Sequence, residues 1–508
     1  VRDILQTDRN TFWIATESGV LVYDRSKDKQ EWLTHQSDHP WSLSDNAVYT
    51  ISQDHQGGLW IGTYFGGINY YHPRHNIFQK IFPRFSTPSI QGHAVREFVQ
   101  DTNQSIWIGT EDNGLYKWDM RSNQFTGLTP GEGLSQTNIH GLAVCGDSLL
   151  VGTFYGGLDV IDTRKNRVMR HFDSHNTHGQ LASNFIFHIF KTRKGRVLLA
   201  TIRGLYEFFP GRDEFVLVKD VPGHIFYTSI YEDRSENLWV ATWRNGLYMV
   251  DHAQNKTTAY KHVPLDSLSL NSNRVNRIFQ DSYGNIWIAT ESGLAQWTAT
   301  GKPIRRISKR DGLPSNVILA MQEDAHKNLW VSTTRGLVKL HLDDLKMHIF
   351  NKESGLLDLQ FNYNSAFKDA SGYFYFGSSS GFIRFHPDSV DAQLSQDVRS
   401  PLFITRFQSL QRDFPLHIDA STADTSITYS REVRLQYDES TIRIDFAALN
   451  YVSSQSTSYL YLLEGFDKDW TLLRNTHTAH YTKIPPGDYA FRVKSVDTNG
   501  EKISEERA

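Results

Sequence analysis

The chain has 508 residues, a formal net charge of −3, 13% aromatic residues and a single cysteine, Cys145. That length exceeds one ordinary core and calls for two or three domains or a long repeat array. The near-neutral balance excludes nucleic-acid or anionic-membrane binding driven by bulk charge, and the lone cysteine excludes a disulfide framework or a multi-cysteine zinc site.

No apolar run reaches the roughly eighteen residues that span a bilayer. The chain opens on a strand-like segment, VRDILQTD, with neither an initiator Met nor a signal-peptide pattern, and reads as a piece of something longer. From there one phrase recurs: FWIATESG, LWIGTYFGG, IWIGTEDNG, LWVATWRNG, IWIATESG and LWVSTTRG. Thr16, Thr63, Thr110, Thr153, Thr201, Thr242, Thr290, Thr333 and Ser378 close nine copies, spaced by 47, 47, 43, 48, 41, 48, 43 and 45 residues. Three positions earlier stand Trp13, Trp60, Trp107, Leu150, Leu198, Trp239, Trp287, Trp330 and Tyr375.

Other residues keep the same register. An Asp opens the preceding turn in most copies (Asp8, Asp54, Asp101, Asp233, Asp281, Asp324, Asp369), and a Gly follows the Thr. An L-x-x-N lead-in precedes several first strands, as in Leu43/Asn46, Leu181/Asn184, Leu270/Asn273 and Leu313/Asn316. Each unit then alternates with period two through four short strands, as in AVYTISQD, LWIGTYF, GINYYHP and FQKIFP. Four-stranded units of about 45 residues in tandem predict a β-propeller, with the repeated Trp packed between blades.

Nine copies exceed one ring. Residues 1–85 are therefore expected to be two blades of an incomplete N-terminal propeller, and 86–390 a seven-bladed ring. The alternative partition lets FQKIFP close the last blade, because GFIRFHPD leads into polar DSVDAQLSQDVRS instead of a fourth strand. Residues 391–400 read as a linker. Over 401–508, PLFITRFQSL, EVRLQYD, TIRIDFAALNY, SYLYLLEGFDKDW and HYTKIPPGDYAFRVKSVD predict an immunoglobulin-like β-sandwich, giving an all-β chain.

These motifs resemble the sensor region of two-component regulator propeller proteins, whose C-terminal Y_Y_Y module is named for three tyrosines matched by Tyr461, Tyr481 and Tyr489. The resemblance implies a periplasmic sensor region of an inner-membrane protein, tethered through a segment absent from this chain and acting as a homodimer. It implies a small-molecule or oligosaccharide ligand, and a cytoplasmic kinase or diguanylate cyclase as output. No cofactor and no direct nucleic-acid contact are expected of this region.

The candidate ligand contacts are the residues that vary before the Gly. Where three residues separate Thr from Gly, the hairpin is expected to protrude: Tyr64-Phe65-Gly66, Glu111-Asp112-Asn113, Phe154-Tyr155-Gly156 and Trp243-Arg244-Asn245. Aromatics beside Arg and Asn suit sugar faces and hydroxyls, whereas loop packing on a neighbouring blade is the plainer reading. Arg96, Arg274, Asn276, Arg277, Tyr49 and His188 start inner strands and are expected to line the channel mouth, where Arg pairs bidentately with anions. Glu17, Glu111, Asp112 and Glu291 sit at loop positions suited to catalytic carboxylates, but no pair stands out, and no H-E-x-x-H or G-x-S-x-G occurs. The cluster HFDSHNTH, His171–His178, offers a weak metal option beside a polar surface loop. A propeller glycosidase or lyase, and a scaffold for protein partners, remain the competing functions.

Overall fold

The computed structural model describes residues 1–86, 88–298, 305–394, 400–409, 413–414, 427–428, 432–452, 457–474, 476–496, 504 and 506. They divide into two compact units, one of residues 36–40 and 76–393, the other of 1–35, 41–75 and 394–508.

The first unit is a closed ring of seven four-stranded antiparallel blades. In the first blade Val95–Gln100 is innermost, followed outward by Ile106–Thr110, Leu115–Asp119 and Gln124–Leu128. Innermost strands of successive blades lie side by side, and that of the seventh blade, Phe361–Lys368, packs back against Val95–Gln100. The seventh blade takes its outer strand from far upstream: Gln79–Ile81 pairs with Gly381–Phe385. The ring boundary read at residue 86 therefore moves upstream, and the alternative partition is the observed one. The chain after Phe385 cannot supply this strand because it turns into a helix, Pro387–Leu394, which also occupies the start of the expected linker.

The recurring phrase has a mechanical explanation. From Asp54 onward each Asp bonds turn amides with one carboxylate oxygen and the aromatic donor with the other, as Asp101 does to Ser105 N at 2.9 Å and Trp107 Nε1 at 2.9 Å, whereas Asp8 accepts the amides of Asn10 and Thr11. The same bond recurs from Trp239 to Asp233, Trp287 to Asp281 and Trp330 to Asp324, and the Tyr375 hydroxyl replaces the indole at Asp369. Where Leu150 and Leu198 replace Trp, residues 144 and 192 are Val and Thr, so donor and acceptor vanish together. The closing Thr donates to the carbonyl of the Gly after it, at 2.8 Å for Thr110 and Gly114, which fastens the hairpin. The small residue before the Thr leaves room for the next blade: a Cβ on Gly109 would come within 2.7 Å of Ile139. The lead-in Asn pins the chain arriving from the previous blade, as Asn273 Oδ1 accepts His262 N at 2.8 Å.

The other unit holds two blades and the C-terminal domain. Asp3–Gln6, Thr11–Thr16, Gly19–Asp24 and Lys29–Leu33 form one blade, and Val48–Gln53, Leu59–Thr63 and Ile68–Tyr71 a three-stranded second. Among the described residues the second blade has no fourth strand, and FQKIFP instead closes the ring. The C-terminal domain is a two-sheet sandwich around Phe407, Ile444, Phe446, Leu463 and Val493. The expected strand EVRLQYD is not one: 432–438 run without strand pairing, with Leu435 and Tyr437 exposed. The tyrosines are structural. Tyr461 and Tyr481 meet edge to face at 5.9 Å, Tyr481 donates to Asp467 at 2.6 Å, and Tyr489 donates to Pro485 O at 3.0 Å. Backbone N–H of Tyr451 donates to Gln56 Oε1 at 2.8 Å and its ring meets Trp60 at 5.2 Å, which fastens the sandwich to the second blade.

Candidate functional site

The hairpins after Thr and the lead-in loops share one face of the ring. Trp243 N donates to Phe226 O, Phe154 N to Asn138 O and Glu111 N to Ala94 O within blades, while Gly157 N reaches Asn184 O and Gly246 N reaches Asn273 O of the next blade. Longer hairpins are thereby held against the mouth of the channel.

On this face the aromatic residues join into one shelf. Trp243 stacks on Phe226 at 5.8 Å and 23°, and Phe226 meets Phe185 at 5.6 Å and Phe187 at 5.2 Å. Phe185 meets Phe154 at 4.3 Å, and Phe154 meets Tyr155 at 4.2 Å and His140 at 5.2 Å. Tyr155 is 63% exposed at the outer end, and Arg274 lies over Trp243 at 5.3 Å at the other. Arg244 is exposed on the hairpin beside it.

Below the shelf, every inner strand of the ring carries a register shift next to its first residue. A bulge re-aims the extra side chain. The residues so placed are Arg96, His140, Phe187, Thr228, Asn276 and Leu319, with a longer bulge across 362–365 in the seventh blade. Contacts at this level join blades that are not neighbours. Arg96 lies over Phe187 at 4.4 Å, Asn364 Nδ2 donates to Thr228 O at 3.1 Å, and Arg277 Nη1 lies 3.3 Å from His188 Nε2. Polar side chains therefore line much of the throat. Asn364 adopts φ 57 to reach across, a strained left-handed conformation of the kind stored at functional sites.

Acidic groups brace the rim. Glu111 Oε1 accepts Arg96 Nη1 at 2.7 Å, and Glu291 Oε1 accepts the Tyr363 hydroxyl at 3.3 Å and Asn276 Nδ2 at 3.2 Å. Asp112 caps the lead-in by accepting His93 N at 2.9 Å, and Glu17 pairs with Arg2. These carboxylates are committed to positioning their neighbours. Desolvation holds His140 and His188 well below the ordinary imidazole range, and nearby Arg96 adds to this, with Arg277 for His188. Burial raises the Glu97 carboxyl to about 8, against the opposing pull of Arg277 and Arg96.

Of the residues expected to contact ligand, the ring gathers Trp243, Arg244, Phe154, Tyr155, Arg96 and Arg274 at one face, with Arg277 and His188 deeper. Tyr64, Phe65 and Tyr49 belong to the other unit, where Tyr49 stacks on Tyr64 at 5.3 Å and Phe65 is 86% exposed. Phe185, Phe187, Phe226, His140 and Tyr363 were missed from sequence. Counting fourteen residues back from each closing Thr or Ser finds the bulge residues Arg96, Phe187, Thr228, Asn276, Leu319 and Asn364, and thirteen back from Thr153 finds His140. His171 is no metal ligand in a cluster: its Nδ1 lies 2.7 Å from Asp159, and no group of three metal-ligating side chains occurs among the described residues.

Four segments, 42–65, 220–244, 269–292 and 312–335, match the two component regulator propeller family, and 450–508 match the Y_Y_Y domain. Histidine kinase P4 of Formosa agariphila is 23% identical over 423 residues, which cover 72% of this chain but only 30% of that protein. The extracellular domain of a hybrid two component system from B. thetaiotaomicron superposes with a TM-score of 0.52 at 20% identity, covering 99% of this chain and 68% of that one. A further structure from that organism, described as the extracellular domain of a one component system, gives 0.50 at 19% identity, covering 99% and 66%. At these identities the likeness to solved structures establishes the fold.

Proposed function

We propose that this chain, which carries two component regulator propeller repeats and a Y_Y_Y domain, is the ligand-sensing region of a two-component signalling protein and acts outside the cytoplasm. The observation that carries the reading is the shelf from Trp243 through Phe226, Phe185 and Phe154 to Tyr155, built from hairpin and lead-in residues over an otherwise repeated scaffold. Stacked rings bordered by Arg274, Arg244 and the Tyr155 hydroxyl offer flat apolar area with polar groups at its edge, which is what a sugar ring presents in complement. The ligand is an oligosaccharide or a comparably ringed small molecule, and its binding is relayed through the Y_Y_Y sandwich to a kinase or cyclase output in a periplasmic, membrane-tethered dimer. A ligand shifts such a receptor only by the difference in its affinity for two arrangements. The rim carboxylates Glu111 and Glu291 are braced by Arg96, Tyr363 and Asn276, which suits binding without turnover.

A glycan panel tests this by thermal shift and product analysis on the same samples. A saturable rise in Tm without hydrolysis is the expected result. Turnover of any glycan, or the absence of a shift across the panel, would overturn it.

A further inference from the structure

We propose that the throat of the ring, beneath the aromatic shelf, is a binding site for a small anion, inorganic or carboxylate, held between Arg277, His188 and Arg96. The site stands on its own geometry and does not depend on what the shelf above it binds.

The contact between Arg277 and His188 is one of two donors. The backbone N–H of Ile230 donates to His188 Nδ1 at 3.2 Å, so in the neutral ring the proton sits on Nε2. Yet Arg277 Nη1, which can only donate, stands 3.3 Å from that same Nε2. Two N–H groups converge with no acceptor between them, and an acceptor seated against both resolves the clash.

Charge points the same way. Arg277 forms no ion pair among the described residues, although it comes from the fifth blade into the middle of the ring. An isolated interior charge is costly, and a guanidinium cannot shed it by losing a proton. Glu97 is the carboxylate that faces it, but Glu97 Oε2 has no hydrogen-bond partner among the described residues and burial keeps the group largely protonated at neutral pH. His188 is held neutral beside it.

Arg96 supplies the opposite wall. Its side chain is 3% exposed, one nitrogen pairs with Glu111, and Nε and Nη2 are buried without a partner among the described residues. The Ser229 hydroxyl, in the same strand register as His188 and Arg277 and likewise without a partner among the described residues, adds a donor from the blade between them. Donors from four blades thus line the throat, where the facing Glu97 carboxyl is largely protonated, and Arg forks are the groups that bind carboxylates and other anions.

Calorimetric titration of the folded protein with sodium bromide, sodium acetate and a hexuronate, each against matched ionic strength, tests the site. Diffraction from bromide-soaked crystals locates it. Saturable binding in wild type, weakened at least about tenfold in Arg277→Met and retained in Glu97→Gln, is the expected result. Bromide and acetate binding together identify a free anion, whereas hexuronate binding alone identifies the acid group of a ligand reaching down from the shelf; both support the site. No binding of any probe, or equal binding in an Arg277→Met protein whose circular dichroism and melting match wild type, overturns it. So does an anomalous bromide peak confined to the outer surface.

Discussion

The carboxylate of Asp281 accepts the indole N–H of Trp287 at 2.7 Å, with both side chains fully buried. Its two oxygens also take Asn285 N at 2.8 Å and Asn285 Nδ2 at 2.9 Å. Trp287→Ala should cost about 3–5 kcal/mol through the cavity it leaves. Asp281→Ala should cost about 1–3 kcal/mol for each buried donor it orphans. The third ring blade shows the compatible alternative, with Thr192 and Leu198 at these positions. The pair Asp281→Thr with Trp287→Leu should therefore be less destabilised than the two single changes summed, by about 1 kcal/mol or more in a double-mutant cycle. Strict additivity in calorimetric melting would show that the bond does not couple them.

Ring closure rests on Phe78, which is 1% exposed and meets Phe350 at 5.3 Å and Phe385 at 5.0 Å, both nearly perpendicular. It anchors the segment that pairs Gln79–Ile81 with the seventh blade. Phe78→Ala should cost about 3–5 kcal/mol and raise proteolytic cleavage between residues 76 and 93. A near-neutral melting temperature with unchanged cleavage would mean that the closing strand contributes little.

How much of this was legible follows from which residues repeat. The Trp, Asp, Thr and Gly positions recur because every blade solves the same packing problem, so period and strand order could be read directly. Closure could not be decided, because FQKIFP has the pattern of a fourth strand in either partition and only long-range pairing to Gly381–Phe385 chooses. The shelf was half visible. Trp243, Phe154 and Tyr155 stand out in hairpins of altered length, whereas Phe185 and Phe226 look like ordinary lead-in residues and Phe187 like an ordinary strand residue until a bulge re-aims it. EVRLQYD misled because alternation was present without a partner strand.

At the rim, Arg274 lies over the face of Trp243, which in turn stacks on Phe226. Replacing both Trp243 and Arg274 by Ala removes the open end of the shelf without touching a blade core. Ligand-induced stabilisation should be lost, while the apo Tm stays within a few degrees of wild type, about the shift expected of surface changes. Thermal melts with and without the glycan that stabilises wild type are the check. An undiminished ligand response would place binding elsewhere.

His171 provides a pH test. Its Nδ1 lies 2.7 Å from Asp159, a buried carboxylate that also accepts Ser135 N at 2.8 Å and Ser135 Oγ at 2.7 Å. The hydrogen bond to Asp159 raises the imidazole above its ordinary value of 6.5, and the charges of Asp159 and Asp173 assist against the cost of burial. A group whose folded-state pKa is raised binds its proton more tightly when folded. Its stabilising contribution is therefore complete below the unfolded value, near 6.5, and declines as pH rises through the folded value above it. Melting temperatures recorded from pH 5.5 to about 8.5 should fall over the upper part of that range more steeply in wild type than in His171→Gln, whose amide keeps a neutral bond to Asp159. Parallel curves for the two proteins would mean that the imidazole binds its proton no more tightly in the folded protein than in the unfolded chain, and that the bond to Asp159 does not raise it.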